Sequence, residues 1–282
     1  MLIQISTAGV GEWDPALIDG SFKIGADHFP RIFGSDGAGT VVAVGAGVTR
    51  VAVGDRVYGW GLASSKGGFF AQYAAIPEND VARIPRSVAF DEAGALAVSG
   101  ITALQGLEHL DLDEGQSLLL IGASGGVGHV ALQLAKRLGL RVFAAASKDD
   151  GVELVRRLGA DAVVDGRKHF LRQARAFAPD GFDGALVFAG GAGWKDELEL
   201  VVAKGRIAWP NGVEPVPTVP PGVAPKPYDG EESAEAFDRL NALVGRGPFH
   251  IEISRTYPLD QAAKALKDVQ RHHLGKLALR IR

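Results

Sequence analysis

The 282-residue sequence predicts an α/β protein in which a short β-rich segment precedes a doubly wound parallel sheet. Two patterns support this fold class: closely spaced strands separated by glycine before residue 90, and regular strand–helix alternation after it. A third observation is an apolar strand at residues 117–121 that runs directly into a glycine-rich turn and a helix. We therefore expect one domain from residues 1–90 and 250–282, and a second from residues 91–249.

The β-rich segment consists of short runs with turn signals between them. The predicted strands are 41–44, 51–53, 56–60 and 70–75. The turn signals are Asp36-Gly37-Ala38-Gly39, Gly45-Ala46-Gly47 and Gly54-Asp55. Strands this close together are typical of a small barrel.

A helical stretch at 91–110 leads into the alternating region. The predicted strands are 117–121, 141–145, 162–164, 184–188 and 206–209. The predicted helices between them are 127–138, 151–158, 170–176 and 195–202. This alternation predicts parallel strands joined by crossover helices.

The last part of the chain begins with a proline-rich stretch. Residues 210–230 hold seven of the 14 prolines and no clear periodicity, which predicts a long surface loop. A helix at 232–244 and a strand at 251–254 are expected to close the parallel sheet. A helix at 259–272 and a strand at 277–281 are expected to return to the first domain.

The glycine-rich turn is the most informative motif. After the strand come Gly122, Ala123, Ser124, Gly125, Gly126, Val127 and Gly128, followed at once by a helical pattern. Glycines let the backbone approach a pyrophosphate, and the next helix points its N-terminal N–H groups at the negative charge. The turn therefore predicts a dinucleotide site, and an ordinary strand-to-helix turn is the alternative.

Composition excludes several classes of function. The net charge of −3 and the absence of a basic patch argue against nucleic acid, and no apolar run is long enough to span a bilayer. We therefore expect a soluble, cytoplasmic protein with a small-molecule substrate. The chain has no cysteine, which excludes disulfides and thiolate-bound zinc. The adjacent His272 and His273 would point in different directions on a helix and are read as surface residues.

Several motifs in order resemble the zinc-independent, quinone-oxidoreductase-like branch of the medium-chain dehydrogenase/reductase superfamily. They are Ala8-Gly9-Val10 through Asp14, Phe33 to Gly39, Gly54-Asp55-Arg56-Val57, Ser99 to Ala103, the glycine-rich turn, Leu158-Gly159-Ala160-Asp161 and Gly275-Lys276-Leu277-Ala278. The resemblance implies a GroES-like β-barrel domain that binds substrate, a Rossmann domain that binds the dinucleotide, and a homodimer. The chain begins at a strand where relatives usually have a preceding β-hairpin, so either the start is shortened or the barrel has lost an edge.

The sequence also departs from relatives at the two loops that carry metal ligands in zinc-dependent members. Those members have a cysteine in the first loop and a histidine–glutamate pair in the second, where this chain has Gly11 and Ser35-Asp36. Many zinc-free members place an asparagine at the position of Gly11, so the role of that asparagine is not carried over to this chain. We expect no metal, and we expect Asp14 and Asp36 to fix loop geometry by accepting hydrogen bonds from backbone N–H groups, with a catalytic role for either as the alternative.

The end of the second strand of the parallel sheet bears on the cofactor. It reads Ala146-Ser147-Lys148, without the carboxylate that accepts the ribose 2′-OH in NAD-specific folds. A lysine can pair with a 2′-phosphate, so Ser147 and Lys148 favour NADP(H). The alternative is a helix start capped by Ser147 or Asp149.

Further site residues follow from strand ends and from the resemblance. Phe188 and Ala189 after the fourth strand, and Asn211 and Gly212 after the fifth, are expected to line the cofactor. The resemblance places Thr102 at the nicotinamide as a catalytic residue. Four aromatic residues are candidate walls for a flat acceptor, with barrel core as the alternative: Trp13, Tyr58, Trp60 and Phe69. Tyr58 is also a candidate proton donor.

The sequence thus predicts an NADPH-dependent oxidoreductase that transfers hydride to a quinone or an α,β-unsaturated carbonyl compound without zinc. Hydride transfer needs mainly geometry, because the cofactor carries the reactive carbon. A non-catalytic NADPH-binding or redox-sensing module is the alternative.

Overall fold

The structure, a computed structural model, describes residues 1–22, 30–61, 68–190 and 194–282. Its strands are β1 (Leu2–Val10), β2 (Asp36–Ala43), β3 (Arg56–Trp60), β4 (Tyr73–Ala75), β5 (Val81–Arg83), β6 (Ser117–Ile121), β7 (Arg141–Ala146), β8 (Ala162–Asp165), β9 (Phe182–Val187), β10 (Val201–Pro210), β11 (Ala224–Tyr228), β12 (Ile253–Pro258) and β13 (Lys276–Arg280). Its helices are α1 (Asp14–Asp19), α2 (Phe90–Ala93), α3 (Ala97–Leu110), α4 (Gly128–Arg137), α5 (Lys148–Arg157), α6 (Phe170–Phe177), α7 (Lys195–Leu198), α8 (Ala234–Val244) and α9 (Ala262–Asp268). None of these helices is long and apolar enough to cross a membrane.

The chain divides into two units. The first contains residues 1–101 and 231–282, and the second contains residues 102–230, so helix α3 begins in one and ends in the other. The division of the domains at residues 90 and 250 stays a prediction; relative to it, the first unit also takes in α2 and α8.

The first unit is built on a seven-stranded sheet in the order β12-β13-β1-β2-β3-β5, with β4 also paired with β1. All of these pairs are antiparallel except β12 with β13. Alternate residues of β1 point into one apolar core, which contains Ile3, Ile5, Val57 and Phe69.

The second unit is built on a six-stranded sheet in the order β11-β10-β9-β6-β7-β8, and all of its pairs are parallel. From β6 the chain first winds outward through β7 and β8, and then returns to β9 on the other side. The predicted doubly wound sheet is therefore confirmed, and its strand order reverses between β6 and β9.

Two predicted elements of the first unit are wrong, and a predicted helix that follows them is interrupted. Residues 36–39 form the start of β2 and no turn, because the glycines let neighbouring strands come close: a β-carbon on Gly39 would collide with the Gln4 carbonyl. Residues 51–53 form no strand. The helix predicted at 91–110 is interrupted at residues 94–96, between the end of α2 at Ala93 and the start of α3 at Ala97.

Three predictions near the end of the parallel sheet are also wrong. The helix predicted at 195–202 stops at Leu198, and β10 already begins at Val201. The proline-rich loop contains β11, which is an edge strand and therefore tolerates Pro225 and Pro227. The strand expected at 251–254 is β12, which pairs with β13 in the first unit and does not close the parallel sheet.

Candidate functional site

The glycine-rich turn lies at the carboxyl end of β6. Gly122 adopts φ +81°, in the left-handed region that favours glycine. Gly128, the first residue of α4, packs so closely on the Gly122 carbonyl that any side chain would collide with it. No side chain caps the start of α4, and of its first amides the one of His129 donates to the Gly125 carbonyl at 3.2 Å. The turn therefore has the backbone geometry of an anion site.

Contacts within the second unit bring three predicted cofactor segments together. The Phe188 amide donates to the Ile121 carbonyl at 3.0 Å, and a β-carbon on Gly122 would lie 2.9 Å from Ala189 Cβ. Gly190 packs against the backbone of Glu214, close in sequence to Asn211 and Gly212. The segments after β6 and β9 lie where the strand order reverses, which is the usual ligand site of such sheets, and Asn211 and Gly212 follow the neighbouring β10. Asn211 is exposed, and its amide donates to Asp229 at 2.9 Å.

Ser147 and Lys148 lie at the end of β7, and both are exposed. Ser147 precedes α5 without capping it, so a Ser147 cap is not the reason for this residue. Nearby, Lys168 Nζ pairs with Asp165 at 2.5 Å, and this hydrogen bond holds the pKa of Asp165 below its ordinary value. The start of α5 also reaches the glycine-rich turn, since Gly151 packs on Ser124 Oγ. The strand end thus presents an exposed lysine, and the helix that follows it contacts the turn through Gly151.

His129 is a residue that sequence reasoning missed as part of the site. It lies in the first turn of α4, is fully buried, and its Nδ1 is 2.8 Å from the Gly125 carbonyl oxygen. It therefore ties the glycine-rich turn to the helix. The only sequence signal was a histidine at an inward position of an otherwise apolar helical pattern.

Thr102 lies in α3 as predicted and is almost fully buried. Its carbonyl oxygen accepts a hydrogen bond of 2.8 Å from the buried Tyr228 hydroxyl. The proposed contact with a nicotinamide stays a prediction.

The four candidate wall residues differ in exposure. Tyr58, Trp60 and Phe69 are buried, and Phe69 belongs to the apolar core. The Tyr58 hydroxyl donates to Asn241 Oδ1 at 2.7 Å, and burial raises the pKa of this hydroxyl well above its ordinary value. Burial fits the alternative of a packing role for these three residues, and their role as walls of an acceptor site stays a prediction. Trp13 is the one of the four that is partly exposed.

Trp13 belongs to a cluster of buried polar residues at one end of the first sheet. The indole Nε1 donates to Ser35 Oγ at 2.7 Å, and Ser35 Oγ donates to Asp14 Oδ1 at 2.8 Å. The other Asp14 oxygen accepts the Gly11 amide at 2.8 Å, which confirms the expected loop-fixing role of Asp14. Desolvation raises the Asp14 pKa to about 6, although both hydrogen bonds oppose the shift.

Asp36 and Lys276 complete this cluster. Asp36 is fully buried and Lys276 nearly so, and Lys276 Nζ lies 3.9 Å from Asp36 Oδ2 and 4.7 Å from the centre of the Trp13 ring. Burial raises the pKa of Asp36, against the opposing effects of Lys276 and of the Val98 amide. The Val98 amide lies close enough to Asp36 to lower its pKa, but neither carboxyl oxygen has a hydrogen bond of ordinary length and angle to a described residue. In the sequence, Lys276 stands out only as part of a motif, and no pattern indicates that its side chain approaches Asp36.

Within the described residues, no group of three or more histidine, aspartate or glutamate side chains is arranged to hold a metal ion. This finding covers the two loops that correspond to metal-ligand positions in zinc-dependent relatives, as far as residues 11–22 and 30–36 are concerned.

Comparison with known proteins identifies both parts of the chain. Residues 1–86 match the alcohol dehydrogenase GroES-like domain, and residues 126–210 match the family described as zinc-binding dehydrogenase. The fold class predicted for the first segment is thereby confirmed.

Individual relatives are similar over most of the chain. A quinone oxidoreductase of Pseudomonas aeruginosa is 30% identical, over 88% of this chain and 82% of its own. The 2-methylene-furan-3-one reductase of Solanum lycopersicum is 38% identical over 88% of this chain, but the match spans only 62% of that enzyme. Among solved structures, the mycobacterial protein Rv1454c complexed with NADPH has a TM-score of 0.81 at 26% identity, covering all of this chain and 91% of the other.

Proposed function

The chain belongs to the medium-chain dehydrogenase/reductase family, and we propose that it is an NADPH-dependent oxidoreductase that reduces quinones or α,β-unsaturated carbonyl compounds without zinc. The observation that carries this proposal is the glycine-rich turn at the point where the strand order reverses, with an uncapped helix behind it. The names of two relatives, a quinone oxidoreductase and a furanone reductase, support the acceptor class.

The residues at the end of β6 fit a dinucleotide. The close approach of Gly128 to Gly122 leaves backbone in place of side chains, and the amides of the first turn of α4 would hold the pyrophosphate. Phe188, Ala189, Asn211 and Gly212 would line the rest of the cofactor, and Thr102 would contact the nicotinamide. When bound, NADPH supplies the hydride.

Lys148 is the basis for proposing NADPH over NADH. It is exposed at the end of β7, where an NAD-specific site would present a carboxylate. We expect Lys148→Ala to weaken NADPH binding about tenfold and to leave NADH binding unchanged, because one ammonium–phosphate contact is lost. Fluorescence titration of both cofactors measures this, with Lys195→Ala as the control because Lys195 is also exposed in the second unit. Equal loss for both cofactors would remove Lys148 from the 2′-phosphate site.

The proposal that the reaction proceeds without zinc rests on the residues at the two metal-ligand positions. Gly11 offers no side chain there, and the Ser35 hydroxyl is already engaged with Asp14 and Trp13. The sequence contains no cysteine to act as a thiolate ligand. Stoichiometric zinc in the purified protein, measured by elemental analysis, would contradict this part of the proposal.

The proposal as a whole is tested by NADPH oxidation with a panel of quinones and enones. We expect turnover with at least one planar conjugated acceptor, and the loss of nicotinamide absorbance measures it. Tight NADPH binding without oxidation by any acceptor would favour the alternative, a non-catalytic redox-sensing module. We also propose a homodimer, which analytical ultracentrifugation of the purified protein tests.

A further inference from the structure

Asp36 and Lys276 form a buried pair whose polar atoms lack partners. Both carboxyl oxygens of Asp36 and Nζ of Lys276 are buried without a hydrogen bond to any described residue. Nζ and Oδ2 face each other at 3.9 Å, which is too long for a hydrogen bond. Buried polar groups are nearly always hydrogen-bonded, so an unsatisfied pair calls for an explanation.

The strands fix both residues in this position. Asp36 is the first residue of β2 and pairs with Gly9 of β1, while Leu277 of β13 pairs with Val10 on the other side of β1. Lys276 therefore begins its strand at the same end of the sheet as Asp36, and its amide donates to the Glu252 carbonyl at 2.8 Å. The side chain of Asp36 packs against Gly9, where a β-carbon would lie 2.5 Å from Asp36 Oδ1. The two groups are thus brought together by three adjacent strands.

Charge and hydrogen bonding show what the pair lacks. Asp14 already accepts two hydrogen bonds, from Gly11 and Ser35, so it is suited to carry the negative charge that balances Lys276. Asp36 accepts none and lies near both Asp14 and Lys276, and burial favours its protonated form. A protonated Asp36 and an ammonium are both donors, so the missing partner is an oxygen that accepts.

We propose that Lys276 and Asp36 form the binding site for the carbonyl oxygen of the acceptor, on which negative charge develops as hydride adds. This inference rests on the proposed function. The indole of Trp13 lies over Lys276 Nζ and is partly exposed, so the pair lies one aromatic ring below the surface of the first unit. An acceptor reaches it by displacing that indole.

The step balances with the reductant named under the proposed function. For an enone, hydride from NADPH forms the new C–H bond at the β-carbon, and the π electrons of the double bond move toward the carbonyl oxygen. Asp36 transfers its proton to that oxygen, and the resulting enol tautomerises to the saturated ketone. Lys276 stabilises the oxygen throughout, and Asp36 regains a proton from water.

The test combines turnover with binding of a mimic. The variants are Lys276→Met, Asp36→Asn and the double variant, with Lys264→Met as the control because Lys264 is an exposed lysine of α9. The binding probe is p-nitrophenol, a planar phenol whose yellow anion resembles the developing enolate. Circular dichroism and NADPH fluorescence check that each variant is folded, and the double variant removes both members of the pair.

We expect Lys276→Met to lower kcat about a hundredfold or more, as removal of an oxyanion donor commonly does. The double variant should lose no more than the Lys276 variant, because the two groups act as a unit. When p-nitrophenol is bound to the wild-type protein or to Lys264→Met, it should ionise at a lower pH than it does free in water. With Lys276→Met we expect no such shift.

Folded variants that keep kcat within threefold of wild type and bind p-nitrophenol unchanged would overturn the proposal, and the pair would then hold only a buried water. Failure of the proposed function gives a different result, since none of the acceptors would then support NADPH oxidation by the wild-type protein. In that case the p-nitrophenol measurement still decides whether the pair binds an acceptor oxygen.

Discussion

The glycine-rich turn of the second unit and the buried cluster of the first unit handle charge in opposite ways. The turn offers backbone N–H groups at a helix start and keeps its ammonium, Lys148, exposed. The cluster buries two carboxyls and the ammonium of Lys276 beneath a single indole. One region is open to an anion before any ligand arrives, and the other holds its charges out of water.

This difference has a physical origin. Backbone dipoles need no desolvation of a full charge, so a glycine-rich turn forms an anion site wherever the strand and helix fold. Burial of ionised side chains is costly unless they are paired and hydrogen-bonded, and Asp36 and Lys276 face each other at 3.9 Å without a hydrogen bond. We therefore expect anion binding at the glycine-rich turn to depend on backbone space. We expect the stability of the buried cluster to depend on the protonation of its carboxyls.

The strongest way to break the first half of the comparison is Gly128→Ala. The added β-carbon would collide with the Gly122 carbonyl, which is held by the Gly125 amide at 3.1 Å. We expect NADPH affinity to fall about a hundredfold and the free energy of unfolding to fall by about 3 kcal/mol. Fluorescence titration and denaturant unfolding measure both effects. Gly45→Ala is the control, since no atom lies within 4 Å of a β-carbon there. If Gly128→Ala binds NADPH with wild-type affinity, backbone space does not limit the site.

The same difference explains how much the sequence could predict. The strand at Ser117–Ile121, the turn and the helix after it are contiguous, and their pattern alone predicts both the elements and the anion site. The resemblance supplied the barrel domain, which local pattern located less well: Gly37 and Gly39 look like a turn but lie within β2. Glycine marks either a turn or a close approach of strands, and only the partner strand decides which.

The rest depends on contacts between distant residues. Pro225 and Pro227 predicted a loop because the sequence does not reveal that their strand is at an edge of the sheet. The strand at 253–258 gives no sign of which sheet it joins. Asp14, Ser35 and Asp36 meet Lys276 only because β13 pairs with β1, so the cluster was not predictable from spacing.

The second region is tested by the pH dependence of Asp14→Asn. Because the Asp14 pKa is raised from 3.8 to about 6, the folded state keeps a proton that the unfolded state has already lost within that window. Stability from this group is therefore full below about pH 4 and is lost as the pH rises toward about 6. We expect wild type to lose about 2 to 3 kcal/mol relative to Asp14→Asn across this window.

Urea unfolding of wild type and Asp14→Asn at a series of pH values measures this difference. Asp19→Asn is the control, because Asp19 lies in the same helix but Ser21 lowers its pKa, so the slope has the opposite sign. A difference between wild type and Asp14→Asn that stays constant with pH would mean that Asp14 is not the buried titrating group.

The smallest expected effect separates packing from catalysis at Tyr58. Its hydroxyl donates to Asn241, whose own amide donates to the Arg83 carbonyl at 3.1 Å, and its ring packs edge-on against Phe237. If these contacts define its role, Tyr58→Phe lowers the free energy of unfolding by about 1 kcal/mol, the usual worth of one hydrogen bond. Tyr73→Phe is the matched control, since the Tyr73 hydroxyl is in an exposed hydrogen bond with Gln4 and its loss should change stability by less than about 0.5 kcal/mol. A more than tenfold fall in kcat for Tyr58→Phe with unchanged stability would instead make this hydroxyl a proton donor, and the oxygen site at Lys276 and Asp36 would then share that role.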